Sequence, residues 1–130
     1  MKPIKLIIKT KSETYPIIIG SNLTSNISKI INNNSLDFKK CLIVVDKNIP
    51  KIFLKNIKKS LKRKKIYIYL FNTSETNKNI NSVNKILEIL LKKNFSRDDC
   101  VISVGGGITG DVVGFVASLF KRGLKFINVP

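Results

Sequence analysis

Short apolar runs alternate with longer amphipathic segments through most of this 130-residue chain, and this alternation limits the folds that it can adopt. The continuous apolar runs at 41–46 and 100–104 are typical of strands that are buried on both faces of a sheet. Segments 48–62, 80–94 and 110–121 carry apolar residues at helical spacing instead. Strands that alternate with helices predict βαβ units and therefore a parallel sheet.

The predicted fold class is α/β: a Rossmann-like parallel sheet with helices on both faces, preceded by an N-terminal β-hairpin. The hairpin is predicted from two short apolar runs, 4–9 and 14–20, which a polar turn joins. A helix from Ser21 to Asn33 follows, with Ser21 as its N-cap. The length predicts one α/β domain over residues 1–130.

The composition narrows the partners that the chain is expected to bind. The formal net charge is +16, but lysine outnumbers arginine 21 to 3, and lysine, asparagine and isoleucine make up 56 of the 130 residues. A/T-rich codons encode these three residues, whereas nucleic-acid binders favour arginine and exposed aromatic residues. We therefore expect no specific nucleic-acid partner. No apolar run reaches the ~20 residues that cross a bilayer, so we expect no membrane partner.

The chain has two cysteines, Cys41 and Cys100, and both introduce apolar runs. Free cysteine is among the most buried residue types, and disulfides are rare in the cytoplasm. We therefore predict two buried free thiols in a cytoplasmic protein.

The most specific motif reads GGGITGDVVGF over residues 105–115, directly after an apolar run. Glycines let a phosphate approach the backbone closely, and the N–H groups that begin the following helix favour an anion. The standard dinucleotide fingerprint fits poorly, because the next strand, 125–130, has no acidic residue for a ribose. The glycines alone also fit a tight strand-to-helix corner with positive φ. Asp111 is predicted in the first turn of the helix 110–121, near the positive end of its dipole.

Segment 105–130 resembles the glycine segment of 3-dehydroquinate synthases, whose pattern is GGG-x-x-GD-x-x-GF-x-A, then RG-x-x-(aromatic)-x-x-VP. The residues in register are Gly105, Gly106, Gly107, Gly110, Asp111, Gly114, Phe115, Ala117, Arg122, Gly123, Phe126, Val129 and Pro130. Segment 73–79 resembles the GE-x-x-K-S segment of the family. It matches at Glu75 and Lys78 and departs at Thr73, Ser74 and Asn79, where the family usually has Asp, Gly and Ser.

The resemblance implies the N-terminal domain of the dehydroquinate synthase-like fold, in an NAD-dependent lyase that also needs a divalent metal, zinc or cobalt. Such an enzyme converts 3-deoxy-D-arabino-heptulosonate 7-phosphate, a sugar acid phosphate, into 3-dehydroquinate and phosphate in the shikimate pathway. The family also implies a homodimer in the cytoplasm, with a helical C-terminal domain that carries the metal ligands.

Transferred position by position, the resemblance implies an NAD site formed by Asp46, Asn48, Thr73, Ser74, Glu75, Thr76, Asn77, Lys78, Gly106, Gly107, Ile108, Thr109, Gly110 and Asp111. It implies that Arg122 binds the substrate phosphate, since a guanidinium forms bidentate hydrogen bonds with such groups. No catalytic residue or metal ligand is identified, and the chain has no histidine. Without the resemblance, Glu75 and Lys78 are interpreted as a surface ion pair at i,i+3 spacing.

We expect the chain to be the N-terminal portion of such an enzyme, inactive alone, as a fragment or as the product of a split or decaying gene. Two alternatives stay open. One is a related sugar-phosphate cyclase or a glycerol-dehydrogenase-like enzyme on the same scaffold. The other is a non-catalytic basic binding module, which predicts salt-dependent DNA binding and no response to NAD.

Overall fold

A four-stranded parallel sheet is the centre of the computed structural model, which describes residues 2–73, 80–120 and 123–130. None of the described helices is long and apolar enough to span a membrane. The elements in chain order are β1 (Ile4–Lys9), β2 (Thr14–Ile19), a 3-10 turn (Thr24–Asn26), α1 (Ile27–Asn33), β3 (Lys40–Asp46), α2 (Lys51–Ser60), β4 (Lys65–Phe71), α3 (Ile80–Lys92), β5 (Cys100–Val104), α4 (Gly107–Leu119) and β6 (Lys125–Val129).

The two central strands, β3 and β5, are buried along almost their whole length, as their continuous apolar sequences predict. Helices α3 and α4 cover one face of the sheet, where Ile86 and Val113 share a core with Leu42 of β3. Helices α1 and α2 cover the opposite face, where Ile31 and Ile57 are buried. The predicted α/β fold with helices on both faces is confirmed.

The strand order is β4-β3-β5-β6, so the chain reverses its direction across the sheet between β3 and β5. It runs from β3 through α2 to β4 on one side, then returns past β3 to β5 and continues to β6. In parallel sheets of this kind, ligands bind at the carboxyl ends of the strands where the order reverses. In this chain that point lies between Asp46 and Gly105.

The predicted N-terminal hairpin is also confirmed: β1 and β2 pair antiparallel and form a separate two-stranded sheet. Residues directly opposite each other in such a pair share a face. One face of the hairpin therefore consists of apolar side chains alone, namely Ile4, Leu6, Ile8, Tyr15, Ile17 and Ile19. Five of these six are exposed and Ile8 is half-buried, so the hairpin contributes little to the core around the parallel sheet.

Helix α1 begins later than the sequence predicts, and the prediction of Ser21 as its N-cap is wrong. The 3-10 turn comes first, and α1 begins at Ile27 without a side-chain cap. Asn22 has a φ of 56°, and its carbonyl accepts a hydrogen bond from the Asn26 side chain at 3.0 Å. Asparagine tolerates this left-handed conformation, so a local turn replaces the predicted first turn of helix.

Helix α4 begins three residues earlier than predicted, at Gly107. The N–H of Gly110 donates to the carbonyl of Gly106 at 3.1 Å, so helical hydrogen bonding starts within the glycine segment. Asp111 consequently lies in the second turn, and no acidic residue lies in the first. The predicted interaction of Asp111 with the helix dipole in the first turn is therefore wrong, because that effect falls off beyond one turn.

Three lysines near the amino ends of the strands bind backbone carbonyls. The Lys40 ammonium donates to the carbonyls of Lys93 and Asn94, at 2.9 and 3.0 Å, just after the end of α3. The ammonium groups of Lys64 and Lys125 donate to the carbonyls of Phe38 and Asp37, in the segment that precedes β3. Carbonyls outside the regular helices and strands lack a backbone donor, so these lysines satisfy groups that would otherwise need water. Part of the lysine excess therefore has a structural role that the composition did not predict.

Replacing Lys40 by methionine is expected to lower the free energy of unfolding by about 2 kcal/mol, because its charged hydrogen bonds to two carbonyls are lost. The ammonium also lies 3.8 Å from the Asp99 carboxylate and 4.9 Å from the centre of the Phe95 ring. The measurement is urea denaturation. Lys39→Met is the control at an exposed neighbour and should change stability by less than about 0.5 kcal/mol. Equal effects of the two substitutions would contradict this role of Lys40.

Cys41 and Cys100 are free and buried, and they lie directly opposite each other in β3 and β5. The prediction of two buried free thiols is confirmed. Burial raises the pKa of the Cys41 thiol to about 12 and raises the pKa of Cys100 as well. Because the thiolate is the nucleophile, both side chains are unreactive at neutral pH and serve in packing.

Candidate functional site

The loops that follow β3 and β5 are tied to the ends of the neighbouring strands at the carboxyl edge of the sheet. The N–H of Lys47 donates to the carbonyl of Phe71, the last residue of β4, at 2.9 Å. The N–H of Gly105 donates to the carbonyl of Val129, the last residue of β6, at 3.0 Å. These two bonds give the edge a fixed backbone, on which Asp46, Asn48 and the glycines of the motif lie.

The carboxylate of Asp46 brings three of the predicted residues together. One of its oxygens, Oδ1, accepts the N–H of Asn48 at 2.9 Å, and Oδ2 accepts the hydroxyl of Thr73 at 3.3 Å. An aspartate at position 73, as in the family pattern, could not donate this bond when ionised. The two bonds fix the orientation of the carboxylate, and each oxygen retains capacity to accept a further hydrogen bond.

Gly105 forms the corner between β5 and α4. Its φ is 153°, in the range that favours glycine. A Cβ atom at this position would lie 2.9 Å from Oγ1 of Thr109 and 3.0 Å from Cβ of Asp46. Glycine is therefore required at position 105 both by the backbone conformation and by packing. This agrees with the interpretation of the glycines as a tight strand-to-helix corner.

Gly110 and Gly114 have a packing role as well. A Cβ on Gly110 would lie 3.1 Å from Oδ1 of Asn128, and a Cβ on Gly114 would lie 3.3 Å from the Phe126 ring. These two glycines let α4 approach β6 closely. Gly110 was predicted from the family as part of the NAD site, and in this structure its missing side chain serves the contact between helix and sheet.

Gly106 and Gly107 differ from the other glycines of the motif, because no packing contact with a described residue explains them. A Cβ at either position would meet no atom of the described residues within 4 Å. Gly106 has a φ of −77°, which any residue adopts, and it is the N-cap of α4. The N–H groups of the first three helical residues lack intrahelical acceptors. The open space around these two glycines therefore lies where the backbone offers hydrogen-bond donors to an anion.

Three further predicted residues belong to α4 itself. Thr109 is fully buried, and its Oγ1 has no hydrogen-bond partner among the residues that the structure describes. Ile108 is half-buried and packs against the core, while Asp111 is exposed. An unsatisfied buried hydroxyl is unusual, and in this chain it lies beside the corner at Gly105.

The remaining predicted site residues fall outside the residues that the structure describes. They are Ser74, Glu75, Thr76, Asn77 and Lys78, together with Arg122. Their proposed roles rest on the sequence motifs alone. Among residues 2–73, 80–120 and 123–130, no three His, Cys, Asp or Glu side chains lie together in a way that could hold a metal ion.

Sequence reasoning did not single out Ser103 and Asn128. Ser103 is fully buried in the middle of the sheet, and its hydroxyl donates to Oδ1 of Asn128 at 2.7 Å. The sequence does contain a signal for this pair, because Ser103 is the one hydroxyl-bearing residue in the otherwise apolar strand β5. A polar residue in a strand that is buried on both faces requires a hydrogen-bond partner.

The sequence of this chain is similar to those of known 3-dehydroquinate synthases. Residues 68–130 match the family described as "3-dehydroquinate synthase N-terminal". The 3-dehydroquinate synthase of Pelagibacter ubique (strain HTCC1062) is 58% identical over 127 residues, which cover 98% of this chain and 34% of that protein. The chain belongs to the 3-dehydroquinate synthase family. It spans about a third of the length of the curated 3-dehydroquinate synthases that it matches.

Two solved structures share the fold of this member of the 3-dehydroquinate synthase family. One is 2-deoxy-scyllo-inosose synthase in complex with carbaglucose-6-phosphate, NAD+ and Co2+, with a TM-score of 0.86 and 22% identity over 98% of this chain and 34% of that chain. The other is 2-epi-5-epi-valiolone synthase from Streptomyces hygroscopicus subsp. jinggangensis 5008 with NAD+ and Zn2+ bound, with a TM-score of 0.76 and 19% identity over 96% of this chain and 34% of that chain. Both likenesses confirm the dehydroquinate synthase-like fold.

Proposed function

We propose that this chain is the NAD-binding part of a 3-dehydroquinate synthase, and that residues 1–130 form a single NAD-binding α/β domain. The observation that carries this proposal is the open space at Gly106 and Gly107, where the strand order reverses. A backbone without side chains at the start of a helix favours the close approach of a phosphate. The family to which the chain belongs supports the same ligand.

The residues at the carboxyl edge fit a dinucleotide. The N–H groups that begin α4, from Gly107 to Thr109, would bind the pyrophosphate. The Asp46 carboxylate, oriented by Asn48 and Thr73, would accept a ribose hydroxyl. The motif at 74–78 would continue this adenosine site, with a carboxylate at Glu75 and a cation at Lys78, and Asp111 would lie next to the cofactor.

We further propose that the whole protein converts 3-deoxy-D-arabino-heptulosonate 7-phosphate into 3-dehydroquinate and phosphate, as a lyase of the shikimate pathway. Bound NAD supplies transient oxidation of a substrate carbinol and its later reduction. Within this chain, Arg122 would bind the substrate phosphate. Zinc or cobalt would be held by protein beyond this chain, in a homodimeric cytoplasmic enzyme. The 130 residues alone would bind NAD without catalysing the reaction.

A related sugar-phosphate cyclase or a glycerol-dehydrogenase-like enzyme would share the fold and the glycine corner. The much higher identity to a 3-dehydroquinate synthase than to the cyclases supports the synthase. A basic binding module would account for the net charge of +16. It would not account for the open space at Gly106 and Gly107.

The Pelagibacter ubique relative provides a direct test of the proposed activity. The N-terminal third of that enzyme is replaced by this chain, and phosphate release from the heptulosonate phosphate is measured with NAD and Co2+. We expect the chimera to release phosphate and form 3-dehydroquinate, and we expect the same chimera with Gly106→Val to be impaired. A folded chimera that binds NAD but forms no 3-dehydroquinate, beside an active parent enzyme, would contradict the proposed reaction.

A further inference from the structure

The hydrogen bond between Ser103 and Asn128 joins a hydroxyl inside the sheet to a side chain that is exposed. The two residues are direct neighbours in the register of β5 and β6, and Ser103 is fully buried. Backbone hydrogen bonds alone pair parallel strands, so the effect of this side-chain bond is to fix the orientation of the exposed Asn128 amide.

The amide of Asn128 lies under the first turn of α4. A Cβ on Gly110 would come within 3.1 Å of its Oδ1 and 3.4 Å of its Nδ2, so the helix backbone rests directly against the amide. The N–H of Gly110 in turn donates to the carbonyl of Gly106. A continuous series of contacts thus links the Ser103 hydroxyl with the glycine at the open space.

We propose that Ser103 and Asn128 are positioning residues that set the place of the Gly106–Gly107 turn for NAD; this role rests on the proposed function. The Ser103 hydroxyl holds the amide in one orientation, and the amide determines how far the first turn of α4 lies above the sheet. The N–H groups that begin α4 converge on one pyrophosphate only when that distance is correct, because hydrogen bonds weaken steeply with misalignment. Neither residue touches the ligand.

The test compares Kd for NAD, by calorimetry well below each melting temperature, in the wild-type chain, Ser103→Ala, Asn128→Ala and the double variant. We expect each single substitution to raise Kd by about fivefold to tenfold. The double variant should bind no more weakly than the weaker single variant, because the two side chains act as a unit. Ser118→Ala is the matched control: its hydroxyl also forms a 2.7 Å bond, to the carbonyl of Phe115 at the other end of α4.

A purely structural role would lower the melting temperature and leave Kd within about twofold of the wild type, and that result would overturn the proposal. A second readout does not require NAD. In the ligand-free chain, the amide NMR signals of Gly106 and Gly107 should shift in Ser103→Ala and stay unchanged in Ser118→Ala. If the wild-type chain binds no NAD, the proposed function fails, and the amide shifts alone decide whether Ser103 positions the turn. Unchanged Gly106 and Gly107 signals would overturn the positioning role.

Discussion

Replacing Gly106 or Gly107 by valine is expected to weaken NAD binding by about 10- to 100-fold while leaving the fold intact. The added side chain would occupy the space proposed for the pyrophosphate, and such steric overlap costs about 1–3 kcal/mol. The part of the chain that the structure describes has room for it, since a Cβ at either position meets none of its atoms within 4 Å. The free energy of unfolding should therefore change by less than about 1 kcal/mol.

The measurement is an NAD titration followed by urea denaturation of the same sample. Ser118→Val is the control, because it places the same side chain on an exposed position of the same helix, and it should leave Kd unchanged. If Gly106→Val and Gly107→Val bound NAD as tightly as the wild type, the ligand would not lie at this turn.

One residue earlier, a substitution is expected to destabilise the fold: Gly105→Ala should lower the free energy of unfolding by about 3 kcal/mol. Alanine is strained at a φ of 153°. Its Cβ would also lie 2.9 Å from Oγ1 of Thr109 and 3.0 Å from Asp46, and neither neighbour is the end of a long flexible side chain. For a chain of this length, such a loss lowers the melting temperature by about 10 °C.

Gly106→Ala is the matched control for Gly105→Ala, since it makes the same change at the next residue, where the φ is −77°. It should change stability by less than about 1 kcal/mol. The double variant Gly105→Ala/Thr109→Ala should recover part of the loss, because it removes the nearest atom. Equal stabilities of Gly105→Ala and Gly106→Ala would show that the corner is not constrained as described.

Most of the fold could be predicted because its strands are continuous apolar runs. The sequences of β3 and β5 have no alternation, and only strands buried on both faces combine that composition with that length. The hairpin was predictable because a polar turn separates its two apolar runs. The start of α1 was not predictable, because the turn at Asn22 depends on a local hydrogen bond from Asn26.

The glycine motif shows where sequence reasoning reaches its limit. The pattern treats its glycines alike, yet Gly105 is required by its φ and its neighbours and Gly110 by Asn128, whereas Gly106 and Gly107 border space that no described residue fills. That division depends in part on Asp46 of β3 and Asn128 of β6, which lie 59 and 18 residues from Gly105 and Gly110 in the sequence. The hydrogen bond from Ser103 to Asn128 was missed for the same reason, because its two partners meet only when β5 and β6 pair.

The measurement that tests the central claim most directly is an NMR titration of the isotope-labelled chain with NAD. The claim predicts saturable shifts of the backbone amides from Gly106 to Thr109, accompanied by shifts at Asp46 and Asn48 on the facing loop. It predicts no change along the exposed lysines of α2. The absence of saturable shifts at millimolar NAD, or shifts confined to the lysine-rich surface of α2, would contradict the claim that this turn binds NAD.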